Sequence, residues 1–148
     1  MGVDSQRAGS GITGSYTSGN LNRTWKAEMI RILIVDDQPA VRKGLQMRLE
    51  AEPDLTVIGE ASDGEAAVEL AQALGPDVVL MDVEMPHMDG IAAANALRRT
   101  CPDICVIMLS IHDDAGTRTC AEQAGAAAFV PKYVPTDRLL AAIRQVRR

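Results

Sequence analysis

Ile30-Arg31-Ile32-Leu33-Ile34-Val35-Asp36-Asp37-Gln38-Pro39 is the stretch that decides the fold. Its first six residues are rich in β-branched side chains and almost wholly apolar. A strand buried on both faces has that composition, because neither side needs a polar group. Two carboxylates and a proline end it. Beyond them Val41, Leu45 and Leu49 recur every four residues, while Arg42, Lys43 and Arg48 turn elsewhere. That is the stripe of an amphipathic helix. A buried strand running directly into a helix is the first half of a β–α unit.

The alternation repeats toward the C-terminus. Residues 55–61 read as a second strand, Asp63-Gly64 as a turn and residues 66–74 as a helix stopped by Gly75-Pro76. Residues 77–81 form a third strand and residues 91–99 a helix capped by Asp89. Residues 104–109 are a fourth strand, 113–124 a helix and 127–130 a short fifth strand. Residues 135–146 close as a helix with Leu139, Leu140, Ile143 and Val146 inward. Five strand–helix alternations with short connections predict an α/β domain: a parallel sheet with helices on both faces. Ligands in such folds bind outside the carboxyl ends of the strands.

The upstream sequence has a different texture. Of residues 1–29, twelve are Gly, Ser or Thr, and the apolar residues follow no period. Such a segment buries too little surface to offset its chain entropy, so a flexible leader is expected there. Tyr16 and Trp25 lie in it. The whole chain has 148 residues, enough for one domain. Its apolar runs are far shorter than the ~18 residues a membrane span needs. With no signal-peptide pattern, a cytoplasmic location is expected. Cys101, Cys105 and Cys120 are odd in number and lack Cys-x-x-Cys spacing, which argues for reduced, mostly buried thiols. Residues 30–148 carry 12 basic and 18 acidic side chains, a net −6. Direct contact with nucleic acid needs a basic face, so that function is disfavoured.

The chemistry collects after the strands. Asp36 and Asp37 follow the first, Asp82 the third, Ser110 the fourth and Lys132 the fifth. Each alone has a bland reading: a helix cap, a loop start, a turn residue, a solvated charge. Their convergence on one sheet edge is harder to explain that way. Three carboxylates and one ammonium leave an excess of two negative charges, costly to hold close together. A divalent cation removes the excess, and an all-oxygen donor set suits Mg²⁺. A metal, a carboxylate and an ammonium together also make a site for phosphoryl transfer to an aspartate.

Four segments carry a resemblance. Ile34-Val35-Asp36-Asp37, the block from Asp82 through Pro86, His87 and Asp89 to Gly90, Met108-Leu109-Ser110, and Phe129-Val130-Pro131-Lys132 resemble, in the correct order, the receiver domain of two-component response regulators. Glu52-Pro53-Asp54-Leu55 through Ala61 and the ending 139–144 resemble the NarL/FixJ (LuxR) type. The resemblance covers about residues 30–147. It implies a flavodoxin-like, CheY-like doubly wound (βα)5 fold with strand order 2-1-3-4-5. It implies Asp82 as phosphoacceptor from a sensor histidine kinase. Asp37 is then a direct Mg²⁺ ligand, Asp36 largely a water-mediated one, and the backbone carbonyl of Glu84 another. Lys132 and Ser110 hold phosphoryl oxygens, and Phe129 is the aromatic that moves inward as Ser110 shifts. Pro86 and Gly90 shape the loop after the acceptor, where glycine tolerates positive φ. Glu84 and His112 occupy the positions that tune phosphoryl lifetime; His87 reads as plain exposed loop.

In that scheme the face formed by the fourth helix, fifth strand and fifth helix changes shape. The fourth helix is polar, contains Gly116 and has little apolar face, so it is expected to be weakly held. Homodimerisation on phosphorylation is implied, with the fourth and final helices the candidate surfaces. Two positions depart from the commoner family pattern. Ser110 stands where Thr is more frequent, and Tyr133 rather than Pro follows Lys132, which predicts a trans bond and a different loop path. No turnover enzyme is expected. DNA would be reached only through an effector domain not in this chain, which stops at Arg148 where a linker would begin. Both a shortened piece and a stand-alone receiver fit that ending, and the NarL/FixJ texture favours the first. A phosphorylation-independent interaction module is the chief alternative. A flavin-type cofactor binder is disfavoured because Asp-Asp-Gln-Pro repels phosphate unless a metal is present. A phosphatase with an Asp nucleophile lacks room for a substrate cap.

Overall fold

A computed structural model describes residues 29–85 and 88–147. The expected leader (apart from Met29), with Tyr16 and Trp25, lies outside the described residues, as do Pro86, His87 and Arg148. The elements alternate: β1 (Ile30–Val35), α1 (Pro39–Glu50), β2 (Leu55–Ala61), α2 (Gly64–Leu74), β3 (Val78–Asp82), α3 (Gly90–Thr100), β4 (Cys105–Ser110), α4 (Ala115–Gln123), β5 (Ala128–Pro131) and α5 (Thr136–Val146). The five strands form one parallel sheet in the order β2-β1-β3-β4-β5. This is the expected doubly wound topology.

Alternation along each strand sends side chains to opposite faces of the sheet. Leu33, Val35, Val79, Met81, Val106 and Met108 pack against α2, α3 and α4. Ile32, Ile34, Val78, Leu80, Ile107 and Leu109 pack against α1 and α5. The second face is filled by Leu45, Leu49, Leu139, Leu140 and Ile143; Val146 is only partly buried. The buried residues that α2, α3 and α4 with its cap contribute to the first face are mostly alanines, Ala67, Ala71, Ala93, Ala94, Ala121 and Ala124, with Leu97 the large exception; Val68, Leu70 and Ile91 pack at its margin, partly buried. At the far end from the site, Arg144 of α5 hydrogen-bonds Asp54 through Nε and one terminal nitrogen, which also reaches Glu52, each at 2.8 Å. This guanidinium holds the Asp54 carboxyl below the usual carboxylate range. No helix among the described residues is long and apolar enough to cross a membrane.

Element boundaries differ from the sequence reading where side chains cap them. Asp114 Oδ1 accepts from the Thr117 amide at 2.8 Å, so α4 starts at Ala115 rather than at 113. Asp63 does the same for Ala66 at 2.8 Å, starting α2 at Gly64 rather than 66. Pro39, preorganised for a first helical position, opens α1. Asp89 caps α3 as expected, through the Ala92 amide at 2.8 Å. Asp82 and Ser110 are the last residues of β3 and β4, still paired to their neighbours, rather than the first loop residues. The cysteines are less buried than expected. Cys101 and Cys105 are half-buried, and Cys120 is exposed because the adjacent Ala121 takes the one buried position of α4.

Gly90 corrects a second expectation. Positive φ among the described glycines occurs only at Gly75 and Gly125. Gly90 is required for close approach instead: a Cβ there would overlap the Asp82 carbonyl oxygen and meet the Met108 methyl at 3.0 Å. Its amide donates to Val83 O at 3.0 Å, pinning α3 against the end of β3. Gly44, in contrast, has open space around its missing Cβ. Gly90→Ala is therefore expected to destabilise by about 2 kcal/mol or more. Gly44→Ala is expected to stabilise by about 0.5–1 kcal/mol. Urea midpoints of the two variants, at unchanged slope, check the pair.

Candidate functional site

The carboxyl ends of β1, β3, β4 and β5 meet at one edge of the sheet. Asp36 directly follows β1, and its amide donates to Ala61 O at 3.1 Å. Asp82 ends β3, Ser110 ends β4, and the amide of Lys132 donates to Ser110 O at 2.9 Å just beyond β5. Strand pairing alone therefore sets where these four side chains begin. Asp36 and Asp82 are 1% and 2% exposed, and Ser110 is fully buried. Asp37 is exposed, at the mouth of an open depression lined also by Val83, Glu84, Met85 and Asp89.

Lys132 Nζ lies 3.1 Å from Asp36 Oδ2 and 3.1 Å from Asp82 Oδ2. Burial pushes the Asp82 carboxyl up, and the neighbouring Asp36 charge pushes it further. Lys132 and the Glu84 amide pull it partly back, leaving it at about 6. Burial works against the charge on Lys132, but its attraction to the two carboxylates outweighs that and raises its pKa. Asp36 Oδ1 accepts from the Gln38 amide at 2.9 Å. Asp36 Oδ2 is buried without a well-formed hydrogen bond; its contact with Lys132 is electrostatic. Arg42, which the sequence reading placed only on the polar side of α1, donates to Asp36 O at 2.6 Å and pairs with Glu60 at 3.0 Å.

One carboxylate oxygen from each of Asp36, Asp37 and Asp82 falls within 4.8 Å of the others. The set is hard oxygen only, carries excess negative charge and includes a buried oxygen lacking a hydrogen bond. These features fit a small divalent cation such as Mg²⁺.

Ser110 has two fixed partners. Its hydroxyl donates to Glu84 Oε2 at 3.2 Å, and its Oγ accepts from the His112 amide at 2.9 Å. The Glu84 contact depends on the path of the β3–α3 loop and is invisible in the sequence. The His112 side chain itself is exposed. Phe129 is half-buried, one strand over from Ser110 and on the same face of the sheet. The Arg118 guanidinium lies over its ring, 4.7 Å from the centroid. Tyr133 is 87% exposed, and no cis peptide occurs among the described residues, as expected where Tyr133 rather than proline follows Lys132.

The raised Asp82 pKa has a stability consequence. Between the ordinary value of 3.8 and about 6 the folded state binds more protons than the unfolded one, so stability falls as pH rises through that window. Above it the buried charge is a standing cost. Asp82→Asn, without metal, is expected to stabilise the fold by about 2 kcal/mol at pH 7.5 and by almost nothing near pH 4. Urea melts of both proteins at the two pH values read this difference.

Comparison with known proteins agrees with the geometry. Residues 32–144 match the family model described as response regulator receiver domain. The transcriptional regulatory protein DegU of Brevibacillus brevis is 37% identical over 126 residues, covering 85% of this chain and 53% of that protein. A protein-glutamate methylesterase/protein-glutamine glutaminase of a Nocardioides species is 39% identical over 120 residues, covering 80% of this chain and 33% of that protein. The chain thus spans about half or less of these relatives. Among solved structures, the signal receiver domain of the response regulator NarL from Mycobacterium tuberculosis superposes with a TM-score of 0.78 at 37% identity, covering 81% of this chain and 97% of that one. The fold, the ordered strand-end residues and these matches lead to one family: the chain belongs to the receiver domains of two-component response regulators, of the NarL/FixJ (LuxR) type.

Proposed function

We propose that Asp82 is the phosphoacceptor of this receiver and that its donor is a sensor histidine kinase. The observation that carries the reading is the placement of Asp82: buried at the end of β3, with Lys132 Nζ at 3.1 Å and the carboxylates of Asp36 and Asp37 in reach. Transfer breaks the bond from phosphorus to the donor nitrogen and forms one to an Asp82 oxygen, and the electron pair returns to the donor. Asp36, Asp37, Asp82 and the Glu84 carbonyl are the residues that would hold Mg²⁺, which when bound supplies charge neutralisation at the phosphoryl oxygens. Lys132 binds one phosphoryl oxygen. The Ser110 hydroxyl leaves Glu84 for another, and Phe129 fills the space that Ser110 vacates. The face of α4, β5 and α5 then changes shape.

The receiver occupies residues 30–148 and residues 1–29 precede it as a leader. It acts in the cytoplasm as a switch and turns over no separate substrate. Glu84 and His112 border the path of an attacking water and set the lifetime of the modified state. The name of the DegU relative favours transcription as the output, reached through a DNA-binding domain and a phosphorylation-dependent homodimer. Incubation with a small acyl phosphate and Mg²⁺, followed by intact mass, tests the core of the reading. A single phosphoryl adduct is expected on the wild type, absent without Mg²⁺ and absent from Asp82→Asn. An unmodified wild type would overturn the proposal in favour of a phosphorylation-independent interaction module.

A further inference from the structure

Arg118 is the one long side chain of α4 that bridges the helix to the sheet. Its guanidinium covers the Phe129 ring at 4.7 Å and is oriented by Asp113, whose Oδ1 accepts from Nε at 2.7 Å and pairs with the terminal nitrogen at 2.6 Å. Asp113 belongs to the β4–α4 loop, three residues after Ser110. Met108, Ser110 and Phe129 share one face of the sheet, Phe129 registering with Met108 on the adjacent strand. The loop, the helix and the ring are thus tied at a single point. The other ties of α4 lie at its C-terminal end, where Ala121 and the cap residue Ala124 are buried and Arg98 of α3 donates to Gln123 O at 2.9 Å; its first turn, with Gly116, has no buried residue.

We infer that Arg118 is a latch for the resting state: a positioning residue that acts through Phe129 and keeps α4 and the β4–α4 loop in their unmodified places. The inference rests on the phosphoacceptor reading of Asp82 above. For Phe129 to enter the space beside Ser110, its ring must leave the guanidinium. For Ser110 to move toward Asp82, the segment carrying Asp113 must move with it. Either displacement breaks the bridge, so the bridge opposes both. Ser110 is restrained separately by its bond to Glu84, which lies on a different loop. A latch made of one half-exposed cation–π contact and one exposed ion pair is weak. Its strength matches its task, because an equilibrium between two states responds only when neither is overwhelmingly favoured.

The test compares the full chain with Arg118→Met, which keeps the stem and removes the charge, and with Asp113→Asn, which leaves the Asp114 cap in place. The readouts are the initial rate of Asp82 phosphorylation by a small acyl phosphate with Mg²⁺, the Phe129 ring resonances without donor, and the urea midpoint. Arg118→Met is expected to phosphorylate about threefold faster, the size a contact of this kind supports. Its ring resonances should move toward those of the phosphorylated wild type. Asp113→Asn should shift both readouts the same way by less, and the double variant should add little to Arg118→Met. A purely structural role for Arg118 would lower the urea midpoint and leave the rate and ring unmoved, and that result overturns the latch. A rate at or below wild type in Asp113→Asn overturns it too, should Arg118→Met fail to fold. A wild type that takes no phosphoryl group overturns the phosphoacceptor reading, and the latch with it.

Discussion

Lys132 places one positive charge 3.1 Å from each of two buried carboxylates, Asp36 and Asp82. An isolated carboxylate at this depth would cost several kcal/mol; two against one ammonium remain under-compensated, and the raised Asp82 pKa records the shortfall. The constraint runs outward from there. Asp36 is held because β1 lies between β2 and β3, with its amide bonded to Ala61. Lys132 is held because β5 pairs with β4 and hands its amide to the Ser110 carbonyl. A different strand order would scatter the three charges. The sheet topology is therefore also the geometry of the site, and the charge imbalance at its edge is what a bound divalent cation would relieve.

Much of this was legible in the chain. A strand buried on both faces must be apolar throughout, so Ile32 to Val35 and Val78 to Met81 announce themselves. Parallel strands separated by helices then bring all their carboxyl ends to one side, which is why Asp36, Asp82, Ser110 and Lys132 converge without any contact being known. The individual roles came from the family resemblance, not from spacing. Other features depend on elements distant in sequence meeting through strand register and loop path. Nothing near Arg118 in the sequence indicates that it lies over Phe129, and nothing near Glu84 indicates a bond to Ser110. Gly90 reads in the sequence as a loop glycine suited to positive φ; in three dimensions it is a close approach to the Asp82 carbonyl. The helix starts at Ala115 and Gly64 shifted because an aspartate one residue upstream caps each. Asp89, the same device, was readable because an apolar periodicity follows it directly.

The two stretches that carried the NarL/FixJ texture, 52–61 and 139–144, touch each other in space. Arg144 clasps Glu52 and Asp54, so the C-terminal half of α5 is tied to the turn before β2. That tie lies at the opposite end of the sheet from the charged cluster. The end of α5 is therefore fastened to the body of the domain by three charge-assisted hydrogen bonds.

The alanine lining of that face has a mechanical consequence. Leucine and isoleucine side chains key α1 and α5 into the sheet, and withdrawing such a helix means extracting interlocked rotamers. α4 and its cap rest on Ala121 and Ala124, methyl groups with no rotamer to change. A displacement of this helix would be shear along a smooth contact instead of unpacking, the small sliding open to packed helices. Sliding along a surface of that kind opens no cavity midway, so of the five helices α4 is the one whose packing against the sheet resists displacement least.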